Sequence, residues 1–496
     1  MTITVDQVPA NWKVPGSYTQ VSELRSGTSL SSMPLRVLLI GVMGAKGNGT
    51  PLKVYPYITA SRAAALAGAG TATAQMVSAF LTDAPYTQVD LIMVAATTGA
   101  AAASWTITPA GPATASGTVA LEINGYRVAA TVTTGMTAVD IGAALWDAWS
   151  AVQPVAATGV TGSLDTATGI LTFVSVDTGA WANDIDVRES TQYGDGVAGA
   201  SLGITQKVQG AGVPDVTPAL SVVSRTWYTD MAWITADQPN LAVFATEATR
   251  RFGAMIKLDT HVYLGMRATY GQALALSETQ NSKFISILPA NRARFAPWEA
   301  AGSLCAVASA ALNADPARQL HTLALTALAG RGPDDDDDYD DSTRNILLNN
   351  GMSTFNVLQG GTVELERVVT TSLVDDEGSA DTIWTDIMSP KVASRVRYEF
   401  NTYITSTYPR DKLADDGSPL AKISAANVVT PGTLKLSWVG QCTLYANAGW
   451  IDDADTLSPE AVFERDATDR NRVNSQLLIN RMGSLMVLAN SLEMQV

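Results

Sequence analysis

The sequence predicts an α/β and α+β multidomain protein: an α/β core, a β-rich domain inserted into it, a C-terminal α+β domain, and extended N- and C-terminal arms. Three observations carry this reading. Continuous apolar strands alternate with helical segments over 35–98 and again from Met231, as in a parallel sheet covered on both faces. Between about Gly99 and Gly212 the chain turns Thr-, Ala- and Gly-rich and alternates with period two. The two ends of the chain read as extended, with apolar residues at alternate positions. The expected boundaries are 1–20 for the N-terminal arm, 21–98 with 213–344 for the core, and 99–212 for the insertion. The C-terminal domain is expected over 345–481 and the C-terminal arm over 482–496.

In chain order, Thr2–Val5 alternates as a short strand, and Pro9 and Val14-Pro15-Gly16-Ser17 stop any helix. Such an arm is either disordered or paired with another chain. Leu35–Gly41 is a buried strand, Ala60–Leu81 one helix with Leu66, Met76, Val77 and Phe80 on one side, and Leu91–Val94 the next strand, completing a βαβ unit. Within the insertion, Val119–Ile123 and Tyr126–Val132 flank Asn124-Gly125, a strong hairpin signal. Ile141–Val152 is a short helix with Leu145, Trp146 and Trp149, and Ile170–Val174 a further strand. The core resumes with the strand Met231–Ile234 and with Asp237 placed to cap a helix over Leu241–Phe252. Strands at Val262–Met266 and Phe284–Leu288 follow, then a helix opened by Pro297 and running to Leu312. Its face of Trp298, Ala301, Cys305, Ala308 and Leu312 is mostly small and suits close packing on a sheet. In the C-terminal region Thr362–Val369 and Leu434–Val439 read as strands, and Ser389-Pro390 opens a helix carrying Val392, Val396, Phe400 and Ile404.

Composition narrows the function. The 496 residues are 46% apolar but only 16% charged, below the roughly 25% of ordinary soluble domains, which suits a surface largely covered in an assembly. A net charge of −15 argues against general nucleic-acid binding, which needs a basic footprint. Two cysteines, Cys305 and Cys442, exclude a disulfide framework, and two histidines are too few for a His-rich metal centre. No apolar run is long enough to span a bilayer, and the first residues lack the pattern of a signal peptide, so a cytosol-like compartment is expected.

Three segments invite chemistry. Gly41–Thr50 follows a buried strand, as a phosphate loop does, and Gly44 and Gly49 have Walker spacing. Thr50 stands where the Walker Lys belongs, so a flexible βα loop is the plainer reading. Asp334–Asp341 holds seven carboxylates in eight residues and reads as a solvated, mobile loop; divalent-cation binding or a basic neighbour is the alternative, and EF-hand spacing is missing. His261 lies in an apolar run and reads as a core residue; His321 has no evident carboxylate or Ser partner. No Gly-x-Ser-x-Gly or His-Glu-x-x-His motif occurs, so no catalytic residue, metal ligand or cofactor is assigned.

Asp315-Pro316-Ala317-Arg318-Gln319-Leu320 followed by His321–Leu325 resembles a motif of the contractile tail sheath proteins of Mu-like bacteriophages, with Gln319 in place of a usual Pro. Asn281-Ser282, Pro297–Ala301, Arg344–Leu348, Asn350–Ser353 and Val363–Thr371 resemble that family's further motifs in the same order. So do Val14–Tyr18, Tyr408–Ala414 and Thr430-Pro431-Gly432. Gly68-Ala69-Gly70-Thr71 departs from the family's usual turn, and the Asp run is not a family feature.

The resemblance implies a structural protein of the virion, assembled in the host cytoplasm, and not an enzyme. Hexameric rings would stack around a tail tube and contract to drive it through the host envelope for genome ejection. The implied partners are other copies of the chain, the tail tube, and baseplate and tail terminator proteins, with no direct nucleic-acid contact and no membrane insertion. The arms would add strands to neighbouring subunits, with contacts expected at Ile3, Val5, Val14 and Tyr18 and at Leu485, Val487, Leu492, Met494 and Val496. Two rivals stand beside this: a Rossmann-like nucleotide-dependent enzyme using Gly41–Thr50, and a non-contractile adhesin-like surface protein.

Overall fold

The computed structural model describes residues 30–422 and 427–494. The expected strand Thr2–Val5, the arm residues Ile3, Val5, Val14 and Tyr18, and Val496 lie outside the described residues.

The apolar run that opens the core forms strand β1 (Val37–Val42), buried at every position. Helices α1 (Ala60–Ala67) and α2 (Ala72–Asp83) follow, then strand β2 (Val89–Val94). The single helix expected over Ala60–Leu81 is two. Gly68 and Gly70 take φ of 105° and 79°, a region other residues seldom enter, and the Thr71 hydroxyl then caps α2 by accepting from the Ala74 amide. A side chain at Gly70 would also collide with the Val155 carbonyl of the insertion.

Between β2 and the next core strand lie β3 (Ala102–Ala110), β4 (Gly117–Ile123), β5 (Tyr126–Val132), α3 (Ala138–Val152), α4 (Val155–Thr158), β6 (Val160–Leu164), β7 (Leu171–Thr178), β8 (Val187–Glu189) and β9 (Ser201–Val208). They form one antiparallel sheet of order β6-β7-β3-β9 and another of order β5-β4-β8. The β4–β5 hairpin turns at Asn124-Gly125, both with positive φ, as the two-residue signal requires. Helix α3 packs against strands of both sheets, and its Trp149 meets Phe173 edge-on at 4.6 Å. An Ala101–Ala211 bridge closes the base where the chain leaves and re-enters the core.

The core resumes with α5 (Thr217–Val222), β10 (Asp230–Trp233), α6 (Gln238–Phe252), β11 (His261–Arg267), α7 (Tyr270–Ser277), β12 (Ile285–Ala290) and α8 (Pro297–Ala314). All core strands are parallel, in the order β12-β11-β10-β1-β2, so β1 sits between β10 and β2 with Leu39 beside Ala232 and Leu91. Asp237 caps α6 as its position predicted, accepting from the Asn240 amide. Helix α8 is buried on nearly every side, lying on the sheet and against α2, which its Ala, Gly and Ser content permits.

Beyond the core come α9 (Asp341–Asn349), β13 (Thr354–Val357), β14 (Val363–Arg367), α10 (Met388–Thr407), β15 (Lys412–Leu413), α11 (Pro419–Lys422), β16 (Val428–Val429), α12 (Pro431–Asn447), β17 (Ile451–Asp452), α13 (Ala454–Leu457), β18 (Val462–Arg465), β19 (Val473–Gln476) and β20 (Asn480–Arg481). The strand expected over Leu434–Val439 is helical, inside α12. Thr430 caps it and Pro431 occupies its first turn, and Trp438, Cys442 and Tyr445 repeat at helical spacing on the buried face. The expected division at 344/345 falls inside one apolar cluster, which continues through Leu347, Phe355, Leu365 and Met388. A second cluster begins with Ala317, Val392 and Val396 and centres on Trp438, Tyr445 and Trp450. Leu30 packs on this second cluster, and the Ser31 amide donates to Glu399 of α10 at 2.8 Å.

Candidate assembly interface

The expected C-terminal arm is anchored at its base and bare beyond it. Strand β20 pairs with β17, and the Met482 amide donates to the Trp450 carbonyl at 3.1 Å. Gln319 donates to the Leu485 carbonyl at 3.0 Å, and Met486 packs against the main apolar cluster. After that the apolar side chains face solvent: Val487 is 81% exposed, Leu488 69%, Leu492 89% and Met494 88%. Leu485 is 73% exposed despite its anchored backbone. Each such side chain gains roughly 1.5–3 kcal/mol on full burial, so a partner surface would stabilise this segment strongly.

Both edges of the core sheet are covered by the chain itself. On the β2 side the Leu52, Tyr55 and Ile58 amides donate to the Met93, Leu91 and Val89 carbonyls at 2.7–2.9 Å. On the β12 side the Ser353 and Thr371 amides donate to Ile287 and Ile285 at 2.9 and 3.0 Å. The ribbon β18–β19 differs: it is two-stranded, with no third strand among the described residues. Its Phe463, with Leu477 just beyond, packs on the Trp438 cluster and holds the ribbon in place. An isolated two-stranded ribbon is marginal, and one with open edges can accept an added strand.

The other candidates lose their chemistry in the fold. In the Gly41–Thr50 loop, the Gly44, Asn48 and Gly49 amides donate to the Ala67, Ala65 and Leu66 carbonyls at 2.9, 3.2 and 3.0 Å. The Thr50 amide is held by the Tyr55 hydroxyl at 2.7 Å. A phosphate cradle needs such amides free and a helix N-terminus behind them; here the end of α1 holds them, and α1 itself starts only at Ala60. The glycines serve close packing, since a side chain at Gly47 would strike the Leu66 carbonyl. The loop is therefore a packed element, not the flexible one its composition suggested.

His261 is buried, as expected, and has a partner that sequence did not reveal: its Nε2 lies 2.9 Å from Ser286 Oγ. Burial, with the nearby Lys391 charge, holds its pKa well below the usual imidazole value, so it stays neutral. His321 sits at the surface beside the Glu366 carbonyl. Among the described residues no group of three or more His, Cys, Asp or Glu is placed to hold a metal ion. No helix there is long and apolar enough to cross a membrane.

The Asp run is solvated at four positions but anchored at others, where basic neighbours meet it. Asp334 pairs with Arg188 at 2.9 Å and with Arg294, and Asp337 pairs with Arg292 at 3.2 Å. Tyr339 is buried, its hydroxyl on the Ala268 carbonyl, and Asp340 caps α9 by accepting from Thr343. Only Asp335, Asp336, Asp340 and Asp341 are exposed. Arginines far away in sequence offset the repulsion, and no local pattern reports them.

No protein-family model matches the chain. The Mu-like prophage FluMu tail sheath protein of Haemophilus influenzae is 26% identical over 499 residues, covering 99% of this chain and 99% of that protein. The crystal structure of a sheath tail protein from Desulfitobacterium hafniense aligns with a TM-score of 0.47 at 14% identity, over 94% of this chain and 100% of that one. One from Listeria innocua aligns with a TM-score of 0.46 at 11% identity, over 92% and 94%. The similarity to the Mu-like prophage tail sheath protein extends along 99% of the chain.

Proposed function

We propose that this chain is a structural subunit of a phage contractile tail sheath. The observation that carries the reading is its end-to-end similarity to a tail sheath protein; the bare apolar arm and the two-stranded ribbon supply the physical means. Copies of the chain form hexameric rings stacked around a tail tube, bounded by baseplate and terminator proteins. The arm of one copy adds to the β18–β19 ribbon of another, burying Val487, Leu492 and Met494 and pairing the ribbon's free backbone groups. Met1–Gln20 serves the same purpose from the other end. Contraction moves the subunits as rigid bodies while the arms keep the mesh connected, and the work comes from better contacts in the shortened state. Residues 99–212 stand on the outside, away from the tube.

The enzyme reading loses its basis in the paired amides of Gly41–Thr50. Electron microscopy of the purified protein tests the proposal: striated hollow tubes support it. A protein that stays monomeric at millimolar concentration, across salt and pH, refutes it.

A further inference from the structure

The two ends of the described chain meet at one helix. Arg395 and Glu399 stand one turn apart on α10 and pair at 3.1 Å, with side chains only 10% and 3% exposed. They also hold the incoming chain by its backbone. Ser31 donates its amide to Glu399 at 2.8 Å, and its carbonyl accepts from Arg395 at 2.7 Å. Both backbone groups of one residue are bound this way, whatever its side chain. The same Arg395 guanidinium lies over the Trp450 ring, 4.9 Å from its centre, and Tyr445 stacks on that ring at 5.8 Å. A planar guanidinium can bond a carbonyl and a carboxylate at its edge while its face meets a ring; a Lys ammonium cannot do all three. Trp450 in turn accepts the Met482 amide at 3.1 Å, one residue beyond the two-rung β17–β20 ladder from which the C-terminal arm departs. So short a ladder is weak by itself, and the placement of Trp450 decides whether its last bond forms. Ser31, Arg395, Trp450 and Met482 are thus linked contact by contact, and none of them belongs to the parallel core sheet.

We propose that Arg395 is the positioning residue of a shared root: it fixes the exits of the N-terminal and C-terminal segments relative to each other, so that a pull on one reaches the other through α10 and Trp450 and not through the core sheet. The mechanical use of this root rests on the sheath reading; the coupling itself does not, and it is measurable in the unassembled chain.

Hydrogen exchange of the full chain, read by mass spectrometry, tests this. Peptides covering 30–36 and 478–486 report the two roots, and those covering the core strands at 37–42 and 285–290 serve as references. Arg395→Met/Glu399→Gln keeps the packing volume, leaves an acceptor for the Ser31 amide and strands no buried charge, so the variant should fold. Exchange over 30–36 should rise about ten- to a hundredfold, the range for loss of a hydrogen bond to a charged group. Over 478–486 it should rise about two- to thirtyfold, the range for loss of a cation–π contact, while the core strands stay unchanged. A rise at one root alone, no rise at either, or an equal rise in the core strands overturns the shared root. Ser31→Pro gives an independent reading, because it removes one amide hydrogen at the N-terminal root and leaves Arg395 and Glu399 paired with each other. Faster exchange over 478–486 in that variant supports the relay; unchanged exchange there overturns it. Failure of the chain to form tubes bears on the sheath reading and leaves these outcomes as they are.

Discussion

Truncating the chain after Met486 removes Val487, Leu488, Leu492 and Met494 but keeps the Gln319–Leu485 bond and the half-buried contact of Met486. The four lost side chains are 69–89% exposed, so they contribute almost nothing to the folded monomer. In a partner's groove each would gain roughly 1.5–3 kcal/mol. Scaled by the exposed share, about four-fifths, the set is worth roughly 5–10 kcal/mol per subunit. At 1.4 kcal/mol per decade this is an upper limit of about three to seven decades in the concentration at which tubes form, before ordering costs are deducted. The melting temperature and circular dichroism of the truncated monomer should match the parent within about 1 °C, since no buried group is lost. Sedimentation and electron microscopy across a concentration series should show tubes from the parent and none from the truncated chain. Tubes from both at the same concentration would refute the argument, and so would a truncated monomer that melts several degrees lower.

Three further outcomes follow from particular contacts. Gly47→Val should cost about 1–3 kcal/mol in chemical denaturation, because its side chain must displace the end of α1; the parent should show no saturable binding of magnesium ATP or GTP at millimolar concentration. Glu122→Gln should cost about 1.5–3 kcal/mol in the same assay, the range for a hydrogen bond to a charged group, because Arg294 keeps its pair with Asp334. Burial pushes Asp177 up to about 6, although its carboxylate accepts from the Ala72 amide. A raised pKa in the folded state means stability is lost as pH rises from about 4 through 6. The melting temperature of Asp177→Asn should lack that decline and exceed the parent's at pH 8, while the two converge near pH 4.

The chain by itself determined what depends on neighbours in sequence or on a repeated pattern. Leu38–Ile40 and Leu91–Val94 are unbroken apolar runs and became parallel strands of the core sheet, the first in its interior and the second at a covered edge. Asn124-Gly125 specified a hairpin turn, and Asp237 and Pro297 marked helix starts, because these depend on local dihedrals and local amides. The alternation after Gly99, and its end before Met231, located a β-rich stretch between two parts of one sheet. The apolar residues expected in the C-terminal arm, Leu485 to Met494, are largely exposed in the folded chain. Some local signals were present and outweighed in the reading: Leu434–Val439 alternates like a strand, yet Thr430-Pro431 before it starts a helix whose face carries Trp438 and Tyr445. Tertiary structure alone decided the rest. Whether Asp334 is a repelling charge or a paired one depends on Arg188 and Arg294, which are 146 and 40 residues away. Whether the Gly44–Gly49 amides are free depends on where the end of α1 lies. Whether the β18–β19 ribbon gains a third strand depends on where the other segments of the chain lie, and among the described residues none pairs with it. Charge pairing and backbone pairing are satisfied across space, and a linear pattern records the groups that need partners without saying where those partners stand.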